Sequence, residues 1–127
     1  SAIKKIGFAC DFNSVMETTP VDEIELLVKD FNAELHILNI GKKDTYEPEL
    51  IFESGVLQEM LASLAPVYHF ITNKNIDEGI IEFTEKNNID LLIVLPKQHS
   101  LLDKLVHKSH TKYLVLHSHV PVMALHQ

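Results

Sequence analysis

The side chains best suited to bind a charged ligand or a metal ion are concentrated at the end of the chain. His107 and His110 are three residues apart, and His117 follows seven residues later, a spacing that places imidazoles on one face of a helix. Imidazoles bind Zn²⁺ and Ni²⁺, but no cysteine and only Asp103 accompany them here, so surface histidines are the more ordinary interpretation. Metal or anion binding by this segment is a secondary alternative. The segment holds six of the eight histidines: His99, His107, His110, His117, His119 and His126.

Charge is distributed unevenly along the chain. The whole sequence has a net charge of −7, whereas residues 97–127 carry four lysines against Asp103, a net charge of +3. The acidic total argues against general nucleic-acid binding, so we expect no nucleic-acid partner. There is no arginine, so any anion site must use lysine, histidine or backbone N–H groups.

Length and composition are those of one compact domain, residues 1–127. No apolar run reaches the roughly 18 residues that span a bilayer, so we expect a soluble chain without a membrane partner. Cys10 is the single cysteine, which favours a reducing compartment such as the cytoplasm.

Apolar runs alternate with amphipathic segments along the whole chain. Thr19 and Pro20 predict the cap and first turn of one helix, and Asn75 predicts the cap of another. Pro121 cannot donate a ladder hydrogen bond, which places the last strand at a sheet edge. The predicted inner face of the second helix is Leu50, Ile51, Leu57, Leu61 and Leu64. The predicted strands are 3–10, 35–40, 67–71, 91–95 and 120–125.

This alternation predicts an α/β fold, a doubly wound five-stranded parallel sheet with helices on both faces. Ligands of such sheets bind at the carboxyl ends of the strands, near the point where the strand order reverses. Candidate site residues are therefore expected in 11–14, 40–43, 72–75 and 96–100.

The last third of the chain resembles the end of a universal stress protein domain. Its strand Leu92-Ile-Val-Leu95, the loop Pro96-Lys-Gln-His-Ser100 and the final His119-Val-Pro-Val-Met-Ala-Leu125 carry the likeness, and Phe8-Ala-Cys-Asp11 matches the opening strand. The resemblance implies strand order 3-2-1-4-5. It also implies a homodimer through the fifth strands, with Val120, Val122 and Ala124 at the interface.

The segments Lys108-Ser-His-Thr-Lys-Tyr113 and His117-Ser-His-Val-Pro-Val122 resemble the second domain of two-domain members. Pairing with a sister domain in a tandem protein is therefore an alternative to the homodimer. The start at Ser1 rather than methionine is compatible with this alternative.

Nucleotide-binding members of that family have a G-x2-G-x9-G-[S/T] loop after the fourth strand. Its glycines let the backbone approach the phosphates closely. The matching positions here are Pro96, His99 and Lys108, followed by Ser109, with one residue fewer in the second gap. We therefore expect a degenerate loop, no ATP binding and no cofactor. The alternative is an ATP- or AMP-binding, or slowly ATP-hydrolysing, member in which Lys97, His99 and Lys108 supply the positive charge.

Asp11 is the other residue that the resemblance connects with a nucleotide, near the nucleoside. Its ordinary interpretation is a carboxylate that caps the turn after the first strand. A ligand of this cleft would lie beside Cys10, Asp11, Ile40, Pro96, Lys97, His99, Lys108 and Ser109. Cys10 is expected to be buried and inert, so no nucleophile stands out. The function predicted from the sequence is a non-enzymatic stress-response module that dimerises.

Overall fold

A computed structural model of the chain describes residues 3–10, 16, 19–41, 48–95 and 110–125. Five parallel strands form one sheet in the order β3-β2-β1-β4-β5. This order confirms the prediction, and it places β5 at an edge as Pro121 indicated. The strands are β1 Lys5–Ala9, β2 Glu34–Gly41, β3 Val67–Thr72, β4 Leu91–Val94 and β5 Val122–Ala124.

Helices cover both faces of the sheet, as the doubly wound prediction requires. Ile24 of the first helix and Leu57 of the second are fully buried in one core, against Ile6 and Phe8 of β1. Phe83 of the third helix packs in a second core on the opposite face. The helices are α1 Val21–Phe31, α2 Pro48–Met60, α3 Ile76–Lys86 and α4 His110–His117.

The strand β4 shows why its sequence is apolar without alternation. Leu91 and Ile93 belong to the core under α1 and α2, whereas Leu92 and Val94 belong to the core under α3 and α4. All four are buried. Because successive side chains of a strand point to opposite faces, a strand buried on both faces has no polar position.

The start of α1 differs from the prediction that Thr19 caps this helix. The N-cap is Pro20, with φ −81° and ψ 77°, and the helix begins at Val21 without a side-chain cap. Thr19 is therefore one residue too far from the helix for its hydroxyl to reach the first free amides. Its Oγ1 is buried and has no hydrogen-bond partner within the part of the chain that the structure describes. By contrast, Asn75 caps α3 as predicted, accepting from the Glu78 amide at 3.1 Å.

Leu57, Leu61 and Leu64 face the core as predicted, and Ile51 is the described residue of the predicted inner face that does not. Leu57 and Leu61 are fully buried, but Ile51 is 59% exposed and Ser54 is buried instead. At 100° per residue, Ile51 lies roughly 90° from the centre of the face formed by 54, 57 and 61. The helix also ends at Met60, and a short 3₁₀ turn, Ala62–Leu64, follows it.

Asp90 ties the beginnings of β1 and β4 together. Its Oδ2 accepts hydrogen bonds from the amides of Lys4 (2.9 Å) and Lys5 (3.0 Å), and its own amide donates to the Lys5 carbonyl at 2.8 Å. These backbone donors lower the pKa of the Asp90 carboxyl below its ordinary value of 3.8. The charged carboxylate thus sets the register of the two central strands at their amino ends.

We expect Asp90→Ala to lower the free energy of unfolding at neutral pH by about 1 kcal/mol, because two amides lose a charged acceptor near solvent. Asp90→Asn should lower the free energy of unfolding by less, because the Oδ1 atom of asparagine can still accept both hydrogen bonds. A carboxyl whose pKa is lowered by folding stabilises the fold above its unfolded pKa, and this contribution disappears as the pH falls through the folded pKa. Urea unfolding of the three proteins at neutral and at acidic pH tests this. An Asp90→Ala deficit of unchanged size in acid would contradict it.

Candidate functional site

The cleft indicated by the sequence lies at the carboxyl ends of β1 and β4, where the strand order reverses. The structure describes Cys10 and Ile40 among the residues predicted to line it. The other predicted residues lie outside the described part of the chain: Asp11, Pro96, Lys97, His99, Lys108 and Ser109.

Cys10 directly follows β1 and is buried in the core under α1 and α2, as the sequence predicted. Its amide donates to the Leu38 carbonyl at 2.9 Å, and its carbonyl accepts from Asn39 Nδ2 at 3.0 Å. Both backbone polar groups of Cys10 are therefore used to attach the end of β1 to β2. A buried thiol in this position packs as a small apolar group.

Asn39 is the residue of this region that the sequence interpretation missed. Its side chain is 8% exposed, and its amide satisfies a buried carbonyl on the neighbouring strand. The available signal was a single carboxamide within the otherwise mostly apolar run of 35–40. Because the hydrogen bond crosses from β2 to β1, Asn39 positions the backbone at the edge of the cleft.

Ile40 lies on the opposite face of the sheet, where it packs against the core under α3 and α4. Gly79 of α3 approaches it very closely: a Cβ at position 79 would lie 2.7 Å from Ile40 Cδ1 and 3.1 Å from Asn73 Cβ. A glycine lets the first turn of α3 sit directly over the end of β2. Ile40 is thus held by helix packing.

Tyr68 of β3 faces the same core as Cys10. Its hydroxyl is buried, and it has no hydrogen-bond partner among the residues described. Burial raises the pKa of the Tyr68 phenol, and the charge of an ionised Cys10 would raise it further. The phenol therefore stays neutral at physiological pH and adds no anion to this end of the sheet.

Within the part of the chain that the structure describes, β5 presents outward-directed backbone groups at two of the three predicted interface residues. The Leu125 amide donates to the Val94 carbonyl, and the Pro121 carbonyl accepts from the Leu92 amide. Alternate residues of a parallel strand bond to alternate sides. Val122 and Ala124 therefore direct their N–H and C=O groups away from β4, towards the open edge.

Val120, the third predicted interface residue, differs from the other two. Its amide and carbonyl both lie within hydrogen-bond distance of Ser118 Oγ, at 3.2 and 3.3 Å. It precedes β5 and packs against the core under α3 and α4. Its backbone is therefore less available for pairing with another strand.

The metal hypothesis rests mainly on residues outside the described part of the chain. His107 and the side chain of His110 are among these residues. His117 is exposed, and its ring lies against Tyr113 with centroids 4.2 Å apart. Within residues 3–10, 16, 19–41, 48–95 and 110–125, no group of three potential ligands is arranged around a common point. None of the described helices is long and apolar enough to cross a membrane.

Comparison with known proteins identifies the family. The model for the universal stress protein family matches residues 2–126. A comparison with curated protein sequences gives no match. Solved structures with the same fold include a universal stress protein in complex with cAMP, with a TM-score of 0.71 and 14% identity, covering 99% of this chain and 98% of that one.

Two structures from Archaeoglobus fulgidus are also similar. A universal stress protein in complex with dAMP has a TM-score of 0.67 and 10% identity, covering 98% of both chains. A second one, from strain DSM 4304, has a TM-score of 0.71 and 17% identity, and the match covers 100% of this chain but 45% of that chain. At these identities the likeness establishes the shared fold.

The contact between Ile40 and Gly79 can be tested by a double-mutant cycle. We expect Gly79→Ala to destabilise the wild-type background by about 1–3 kcal/mol, because the added methyl group overlaps Ile40 Cδ1. In an Ile40→Val background the Cδ1 atom is gone, so the same substitution should cost less, helped by the better helix propensity of alanine. Urea unfolding of the four proteins gives the coupling energy. Additive effects would mean that Ile40 does not limit the approach of α3.

Proposed function

Because the chain belongs to the universal stress protein family, we propose that it is a non-enzymatic module of the stress response that does not bind ATP. The family match over residues 2–126 and the strand order support the first part of the proposal. The residues that follow β4 support the second part.

The loop sequence is the observation that carries the proposal. Nucleotide-binding members of the universal stress protein family have glycine at three positions of this loop. The matching residues here are Pro96, His99 and Lys108. Proline has no N–H to donate to a phosphate, and its φ is restricted. Histidine and lysine at positions 99 and 108 have side chains, whereas glycine leaves room for a closely approaching phosphate. A triphosphate depends most on such a cradle because it carries the most charge over the greatest length.

At the carboxyl ends of β1 and β2, the two described residues of the predicted cleft are engaged in contacts within the fold. The carbonyl of Cys10 is bonded to Asn39, and the Ile40 side chain is packed beneath Gly79. Both residues are used by the fold itself. A ligand would find an apolar and already bonded surface at these two positions.

Binding of a nucleoside monophosphate is the second candidate. Two of the structurally similar proteins were crystallised with cAMP and with dAMP. Each of these ligands has one phosphate group, which needs fewer backbone donors than a triphosphate does. Lys97 and Lys108 could balance its charge as point charges, without the shape that a glycine loop provides.

We also propose that two copies associate through β5. This edge strand has outward-directed backbone groups at Val122 and Ala124, and Ala124 is exposed. Unpaired edges readily accept another strand. A sister domain could occupy the same edge, since this chain corresponds to 45% of one of its structural relatives.

Thermal unfolding with nucleotides tests the ligand proposal. Wild-type protein with Mg-ATP at about 1 mM should melt as it does alone, because a ligand that does not bind the native state cannot stabilise it. For the triple variant Pro96→Gly/His99→Gly/Lys108→Gly, the Tm should be higher with Mg-ATP than without it. A ligand present at 100 times its Kd would stabilise by about 2.7 kcal/mol, a shift of several degrees. Such a shift in the wild-type protein would refute the proposal.

The same measurement with AMP, cAMP and dAMP examines the second candidate. If a monophosphate raises the Tm of the wild-type protein, Lys97→Ala/Lys108→Ala should reduce the shift. Lys104→Ala/Lys112→Ala is the matched control, because it removes the same charge from the same segment. Equal shifts in the two double variants would exclude a specific role of Lys97 and Lys108.

Ala124→Pro tests the dimer edge. Proline removes the outward N–H at position 124 while leaving the bonds from β5 to β4 in place, so the fold should persist. We expect the dimer dissociation constant to rise at least about tenfold, equivalent to about 1.4 kcal/mol. Sedimentation velocity at micromolar concentrations measures it, with Ala124→Val, which keeps the N–H, as the control. A monomeric wild-type protein would disprove this interface.

A further inference from the structure

Two histidines form a close pair on the face of the sheet that α3 and α4 cover. His36 Nδ1 on β2 and His69 Nε2 on β3 are 2.9 Å apart, within hydrogen-bond distance, and the rings are stacked at 26°. On its other side, His36 Nε2 is 3.3 Å from the Glu34 carboxylate. His36 is 7% exposed. In the strand register His36 lies opposite Val67, and His69 lies opposite Leu38.

Among the residues that the structure describes, α3 presents an aromatic side chain to the pair. Phe83 of α3 contacts His69 edge-on, with ring centroids 4.9 Å apart. The charged residues Glu82 and Lys86 of α3 pair with each other on its exposed side.

From β1, Gly7 lies opposite His36 in the register, and Lys5 directs its ammonium group to the Asn87 carbonyl. Among the residues described, Glu34 is the charged group within hydrogen-bond distance of the pair.

The number of protons that this arrangement accepts follows from its hydrogen bonds. A bond between two imidazoles needs one N–H donor and one nitrogen lone pair. A single added proton fits, because a charged His36 can donate from Nε2 to Glu34 and from Nδ1 to a neutral His69. A second proton would place two N–H groups against each other at 2.9 Å. The hydrogen bond would be lost, and two like charges would face each other in a partly buried place.

We propose that the His36–His69 pair is an acid-sensitive switch that holds β3 against the sheet at neutral pH and loosens it when both rings are charged. The strand β3 is suited to this because, within the part of the chain that the structure describes, it is an edge strand that pairs with β2. Val67 and Phe70 of β3 are exposed. The His69 contact adds to the backbone pairing with β2 and to the packing of Tyr68 and Ile71 in the two cores, so its loss weakens the attachment of this strand without removing those contacts.

The titration of His69 agrees in sign with this switch. Burial lowers the pKa of His69 below its ordinary value of 6.5, and the neighbouring charge on His36 lowers it further. The unfolded chain then binds a proton at position 69 more readily than the folded chain does. The stabilisation is complete above the unfolded pKa of about 6.5, and it decreases as the pH falls from there towards the folded pKa.

His69→Gln in the full chain tests the proposal. The glutamine Oε1 can still accept from a charged His36, but the side chain cannot take a second charge. Urea unfolding is measured at about pH 8 and at about pH 5, with EDTA present. Between these values we expect the unfolding equilibrium constant of the wild-type protein to rise several-fold more than that of His69→Gln, because the unfolded chain binds a proton at His69 more readily than the folded chain does. Parallel pH profiles would overturn the proposal.

His119→Gln is the matched control. His119 is also close to a carboxylate, Glu85 at 3.7 Å, but it is exposed. This variant should keep the acid sensitivity of the wild-type protein. If it loses that sensitivity to the same extent as His69→Gln, the effect is not specific to the pair and the proposal fails.

Two measurements on the wild-type protein remain decisive if His69→Gln does not fold. Amide hydrogen exchange should show that β3 loses protection in acid before β4 does, and equal losses would contradict the switch. NMR titration of the His69 imidazole should show that it gains its proton below the ordinary pKa of 6.5, whereas a step at the ordinary value would overturn the proposal. Stabilisation by added Zn²⁺ that depends on His69 would identify a metal site instead.

Discussion

Burial of β1 and β4 on both faces is the constraint on which the rest of the structure depends. Ile6, Phe8, Leu92 and Ile93 are fully buried between the two helical layers. A strand in this position can satisfy its backbone only through its two neighbours, so any slip in register would expose apolar side chains and break hydrogen bonds together. The polar groups at the ends of the strands act within that constraint. Asp90 fixes the amino ends of β1 and β4, and Asn39 fixes the carboxyl end of β1.

The cleft and the sheet respond differently to substitution. The sheet requires apolar side chains at its buried positions, on both faces of the inner strands, and many sequences meet this requirement. A phosphate cradle requires glycine at particular positions, because a Cβ or a missing N–H removes the contact outright. A chain can therefore keep the fold of the universal stress protein family and its opening-strand aspartate while replacing the loop residues that contact phosphate. This difference separates family membership from nucleotide binding.

The two edges of the sheet also have different physical properties. At one edge β5 directs backbone groups of Val122 and Ala124 outward, which suits pairing with another strand. At the other edge β3 is attached through β2 and through an imidazole contact that depends on proton number. The proposed assembly and the proposed acid response thus involve opposite edges of the same sheet, with β2, β1 and β4 between them.

The sequence alone determined the order of the elements, the cap of α3 at Asn75 and the burial of β4, because each depends on residues close together in the chain. Its likeness to a family supplied the strand order, and Pro121 indicated the edge. Two local features were predicted wrongly. Thr19 is one residue short of α1, and Ile51 of α2 is exposed although the rest of the described predicted face is in the core. Both depend on how a helix settles on the sheet, which the spacing of apolar residues defines only to within a residue.

Only the tertiary structure brought together residues that are distant in the chain. Asn39 and Cys10 are 29 positions apart, Ile40 meets Gly79 of the helix that lies over it, and His36 meets His69 from the next strand. In the sequence the two members of each of these contacts are far apart. Their roles arise from the strand register and from the closeness of helix to sheet. These are properties of packing, and no pattern along the chain encodes them separately.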